Sequence, residues 1–106
     1  MSLNDNMPMV SALANDVGCE RVFSEQLINF IRPGDVLISI TGSGNSPNIL
    51  NAMEYARASA ATNIALLGFD GGRALEPADE YVLVPVADYG IVEDLHMVLD
   101  HVLTEY

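Results

Sequence analysis

Thr41, Ser43 and Ser46 put three hydroxyls into the six residues Thr41-Gly42-Ser43-Gly44-Asn45-Ser46. Hydroxyls interleaved with glycines suit the oxygens of an anion: glycine lets the backbone approach closely, and each hydroxyl can donate. The stretch follows the apolar run 36–40 and leads into Ser46-Pro47, a helix-start signal. A helix beginning there adds free N–H groups and a positive partial charge. In an open α/β sheet, ligands bind beyond the carboxyl ends of the strands, where this loop would lie. Two nucleotide motifs fail. A P-loop needs Gly-Lys-Ser/Thr, and the chain has no lysine; the G-x-G-x-x-G pattern starts at Gly42 and Gly44 but meets Pro47 where its third glycine belongs. Read alone, the loop is equally an ordinary glycine-rich turn with Ser46 as N-cap.

Charge narrows the chemistry. The formal net charge is −11, and Arg21, Arg32, Arg57 and Arg73 are the only arginines. No basic patch for nucleic acid or an anionic membrane can be built from these. An anion held here must rest on backbone N–H groups, hydroxyls and a helix end. Arg73, in the turn Asp70-Gly71-Gly72-Arg73, is the one cation near enough in sequence to be weighed against a phosphate. The single cysteine, Cys19, gives no internal disulfide and no metal spacing, so a reducing cytoplasm is the expected setting. No apolar run reaches the roughly 20 residues that span a bilayer, and residues 1–9 lack the pattern of a signal peptide.

Three near-continuous apolar runs, 36–40, 64–67 and 81–85, read as strands covered on both faces. Helical patterns separate them, which predicts βαβ connectivity and a parallel sheet. The spacing predicts helices over 20–31 (stripe Val22, Phe23, Leu27, Phe30), 46–60 (Ile49, Leu50, Met53, Ala56) and about 91–103 (Val92, Leu95, Leu99, Val102). Residues 8–14 suggest a further helical turn or two. On the last helix, His101 shares a line with Glu93 and Met97, off the apolar stripe. That position suits an acid–base group or ligand, and equally a surface histidine near a helix C-terminus. His96 reads as a core or interface histidine, and Asp94 as a helix cap. Three strands are few for a doubly wound sheet, so an exposed edge or a larger parent domain is expected.

The segment DVLISITGSGNSPNIL resembles the centre of the sugar isomerase (SIS) domain, closest to the phosphoheptose isomerases. Upstream, ALANDVGCERVFSEQL resembles that family's Asn-Asp-x-Gly turn and aromatic-bearing helix. Downstream, LLGFDGGRALEPADEYVLVP and IVEDLHMVLDHVL resemble its Gly-Gly turn, Val-Pro strand end and final helix. The resemblance runs through nearly the whole chain and implies a three-layer, doubly wound, flavodoxin-like α/β domain spanning residues 1–106. The first strand and the amino-terminal helices of such a domain have no counterpart here, so the chain resembles its carboxyl-terminal half to two-thirds.

The resemblance also implies roles. Thr41, Ser43 and Ser46 fall on phosphate-binding hydroxyls, while Gly42 replaces a common threonine. Asp16 falls on an acidic residue used at the sugar. Glu93 falls where a glutamine is usual near the catalytic centre. His101 falls on a catalytic histidine that in some members also ligates zinc. A metal shared by Glu93 and His101 is awkward, because eight residues of helix rise about 12 Å. The implied function is aldose–ketose isomerisation of a sugar phosphate such as sedoheptulose 7-phosphate, in a cytoplasmic homo-oligomer (dimer or tetramer) that binds neither nucleic acid nor membrane. The alternatives are a non-catalytic sugar-phosphate sensor and a fragment with a vestigial site. The family's catalytic glutamate has no counterpart, so these residues alone are expected to turn over little substrate.

Overall fold

The computed structural model describes residues 1–105. In chain order the elements are α1 Met7–Asp16, a 3-10 turn Cys19–Arg21, α2 Val22–Phe30, β1 Val36–Thr41, α3 Pro47–Ala58, β2 Thr62–Gly68, a 3-10 turn Gly72–Leu75, β3 Glu80–Val84 and α4 Tyr89–Glu105. The three strands are parallel in the order β1-β2-β3, with Val36 opposite Thr62 and Ile64 opposite Glu80.

Strand alternation assigns the two faces. Ala65 and Leu67 of β2 join Met53 of α3 and Ala74 in one fully buried cluster, with Leu37 and Leu83 packed against it. The other face carries Leu66 and Val84 beneath α4, whose Val92 is fully buried. Helices therefore flank the sheet on both faces, as the sequence predicts, while the strand order runs one way without reversal. At the amino ends of the strands, buried Asn63 ties the layers together. Its side-chain amide donates to the Met53 and Pro77 carbonyls at 2.8 and 3.1 Å. Its backbone N–H donates to Asp79 Oδ2 at 2.7 Å.

Several expectations need correction. The segment around residues 8–14 is a full helix, α1, because Asn6 Oδ1 accepts from Met9 N at 3.1 Å and Pro8 sits in the first turn. Residues 20–31 divide into a 3-10 turn and α2, and Phe30 is exposed while Gln26 is buried. Gln26 reaches inward because its amide donates to the Leu3 carbonyl at 3.0 Å. On α4 the sheet-facing line is Val92 and His96, and Leu95 and Val102 are exposed. Asp88, not Asp94, caps α4: its Oδ1 accepts from Ile91 N at 3.2 Å. The apolar run of β1 predicts a strand covered on both faces, yet Val36, Ile38 and Ile40 are 55%, 54% and 52% exposed. It forms a sheet edge, and α4 does not reach across it.

Candidate functional site

The six-residue loop joins β1 to α3 at the carboxyl ends of the strands, and the chain bolts it down from three directions. Within the loop, the buried Thr41 Oγ1 accepts from Gly44 N at 3.2 Å, and Ser43 Oγ accepts from Asn45 N at 3.2 Å. Across to the β2–β3 connection, Gly68 N donates to Gly42 O at 3.0 Å and Ala74 N to Gly44 O at 2.9 Å. Asn45 Oδ1 accepts from the backbone N–H of Arg73 at 2.9 Å. Gly44 is obligatory in this arrangement. Its φ is +70°, and a Cβ there would stand 2.0 Å from the Gly71 carbonyl oxygen. From the third side α4 closes in: a Cβ on Gly68 would lie 2.5 Å from Val92 Cγ1, and one on Gly42 3.0 Å from Tyr89 Cδ1. The imidazole of buried His96 meets the Leu67 carbonyl at 2.9 Å, fixing α4 to β2 one turn further along.

The hydroxyls differ in what remains for a ligand. Those of Thr41 and Ser43 accept loop amides and keep their O–H to donate. Ser46 stands at the N-cap of α3, but its side chain makes no capping bond. The ordinary reading of Ser46 as a side-chain cap is thereby removed. Asn48 instead bonds the first turn, its Oδ1 accepting from Ile49 N at 2.8 Å. Among the described residues, no acceptor is bonded to the N–H of Ser46 or Asn48. Beside the loop an open cleft of about 410 Å³ is lined by Ser43, Asn45, Phe69, Asp70, Pro85 and Ala87.

Cations are sparse around it. Arg57 is bound to Glu76 at 3.0 Å and Glu54 at 3.6 Å. The hydrogen bond it donates to Glu76, with the charge of Glu54, raises its pKa. Arg21 is paired with Glu25. Arg73 approaches the loop through its backbone, and its side chain is exposed.

None of the other sequence-identified site residues lines this cleft. Asp16 ends α1, exposed, with Asn15 Nδ2 at 3.4 Å from its carboxylate. The 3-10 turn that follows packs on α3, where Asn51 Nδ2 donates to the Glu20 carbonyl at 2.8 Å. Cys19 and Glu20 share a shallow hollow with Ser46, Pro47 and Asn48. Glu93 and His101 are both exposed on one continuous helix that begins at Tyr89. Their rise of about 12 Å along it prevents a shared metal ion within the chain. Measured along the same axis from Tyr89, which touches the loop, His101 is about 18 Å away. Among the described residues no group of three His, Cys, Asp or Glu side chains could hold a metal. The donors among the described residues therefore do not fit a zinc site within one chain. Phe69 walls the cleft and Tyr89 braces it, and neither carries a local signal in the sequence. Their signal is tertiary: Tyr89 is recognised only by its contact with Gly42.

The SIS domain family matches residues 1–68. The phosphoheptose isomerase of Trichlorobacter lovleyi is 38% identical over 105 residues, 99% of this chain and 54% of the relative. That of Rhodospirillum rubrum is 37% identical over 103 residues, 97% of this chain and 55% of the relative. Among solved structures, phosphoheptose isomerase GmhA from Neisseria gonorrhoeae superposes with a TM-score of 0.96 at 32% identity, covering 99% of this chain and 59% of that one. A phosphoheptose isomerase from Francisella tularensis gives 0.95 at 29% identity, covering 99% and 56%. The chain thus spans about half the length of the curated relatives it matches.

Proposed function

The chain belongs to the SIS domain family, and on that premise we propose that its 41–46 loop holds the phosphate of a sugar phosphate that undergoes aldose–ketose isomerisation. The observation that carries the reading is the loop itself. Three hydroxyls share one loop at the carboxyl ends of the strands, the Ser46 hydroxyl is not used as a cap, and Ser43 lines an open cleft. Hydroxyls, free first-turn amides and the helix dipole supply what the missing cations do not. Sedoheptulose 7-phosphate is the proposed ligand, by likeness to the phosphoheptose isomerases.

In this reading the phosphate anchor fixes the sugar so that a base can remove a proton from the carbon beside the carbonyl. The proton returns to the neighbouring carbon through an enediol, with no net change in atoms. Glu93 and His101 are the proposed acid–base groups, and Asp16 the proposed acceptor for sugar hydroxyls. With His101 about 18 Å along α4 from the loop, it serves a site only when a second copy brings it there. The proposal therefore includes a homo-oligomer, dimer or tetramer. A reducing cytoplasmic setting fits the exposed thiol of Cys19. Among the described residues no helix is long and apolar enough to cross a membrane.

Calorimetry with sedoheptulose 7-phosphate tests the reading. Wild type should bind, and Ser43→Ala and Ser46→Ala should each weaken binding about tenfold. Equal affinity in all three would contradict it. The separation of Glu93 from His101 favours a second reading, binding without turnover in the isolated chain. Conversion of sedoheptulose 7-phosphate by these 106 residues would rule that out.

A further inference from the structure

One wall of the cleft is aromatic, and its construction has a cost. Phe69 lines the cleft together with Ser43, Asn45 and Asp70. It does so from left-handed backbone, with φ at 54°. A bulky side chain rarely adopts that conformation, and such strain persists only where the surroundings enforce it. Tyr89 braces the ring, with centroids 4.6 Å apart and planes inclined at 56°. Tyr89 in turn rests on bare backbone, since a Cβ at Gly42 would stand 3.0 Å from its Cδ1. Gly42, Tyr89 and Phe69 thus form a column running from the loop to the cleft wall. Next to Phe69, Asp70 commits one carboxylate oxygen to Gly72 N at 2.9 Å. Its other oxygen keeps its capacity to accept.

The cleft therefore has two unlike sides. One offers the Ser43 hydroxyl and the Asn45 amide. The other offers a ring face and a carboxylate, which suit the C–H face and the hydroxyls of a polyol and do nothing for a bare phosphate. We propose that Phe69 and Asp70 read the carbon chain of the sugar whose phosphate sits on the 41–46 loop, and that Tyr89, seated on Gly42, is the positioning residue that holds Phe69 there. The proposal rests on the phosphate reading above and adds the determinant of sugar recognition. A hydroxyl-bearing side chain at position 42 would fill the seat of Tyr89.

The test compares two probes, inorganic phosphate and sedoheptulose 7-phosphate, by calorimetry on the 106-residue chain. The quantity read is the ratio of their affinities. Phe69→Asn, a residue that tolerates left-handed backbone, and Tyr89→Ala should each weaken the sugar phosphate about tenfold. Inorganic phosphate should move by less than about twofold. A merely structural role would leave the ratio unmoved. An unchanged ratio in folded variants that still bind phosphate overturns this proposal alone. Wild type that binds neither probe overturns the phosphate reading and this proposal with it.

Discussion

Two hydroxyls of the 41–46 loop are engaged with the chain's own amides, and the third is not. That difference separates stability from binding, residue by residue. Thr41→Val strips the buried acceptor of Gly44 N; the expected loss is about 1 kcal/mol by urea denaturation. Ser46→Ala removes no protein hydrogen bond. It should change stability by less than about 0.5 kcal/mol while still weakening phosphate binding. A loss of stability for Ser46→Ala matching that of Thr41→Val would show that Ser46 is a structural cap after all. Gly44→Ala is a different case. It combines a left-handed φ with a Cβ 2.0 Å from the Gly71 oxygen. A loss of about 3 kcal/mol or more is expected, seen as a fall in the denaturation midpoint.

At the scale of the element, α4 is the piece whose placement the site depends on. Its start is fixed by Asp88, its tilt by Val92 on Gly68 and its height by His96 on the Leu67 carbonyl. Asp88→Ala should therefore cost about 1 kcal/mol and Asp94→Ala almost nothing, compared by thermal melts; the reverse order would move the cap. The same helix marks the boundary of what the sequence alone conveys. The strands 36–40, 64–67 and 81–85 were legible to within a residue or two, because short apolar runs punctuated by glycine and proline have few other solutions. The loop was legible because hydroxyls, glycines and Ser46-Pro47 are local signals. The face of α4 was not. Leu95 and Val102 are as apolar as Val92, and only the backbone of Gly42 and Gly68 decides which line the sheet accepts. Nor was the split of α2 from its 3-10 turn legible, or the Tyr89–Phe69 wall, since each depends on contacts between residues distant in the chain.

At the scale of the whole molecule, charge and uncovered apolar surface make opposite demands. The β1 face of Val36, Ile38 and Ile40 and the outer line of Ile91, Leu95, Val98 and Val102 on α4 are exposed. Burial of such surface drives association, so light scattering at rising concentration should show a dimer or larger species; a monomer throughout would contradict this. The net charge of −11 works against binding a phosphate dianion. Raising ionic strength from about 10 to 150 mM shortens the Debye length from about 30 to 8 Å. With a weakly competing anion, phosphate binding should tighten over that range, the reverse of a lysine-built site, and weakening would point to an arginine-based one. The most direct test of the phosphate reading is an amide-resolved NMR titration with inorganic phosphate. Saturable shifts are expected at Ser43, Gly44, Ser46 and Asn48, abolished in Ser43→Ala/Ser46→Ala. Saturable shifts confined to other segments, or none at all, would contradict it.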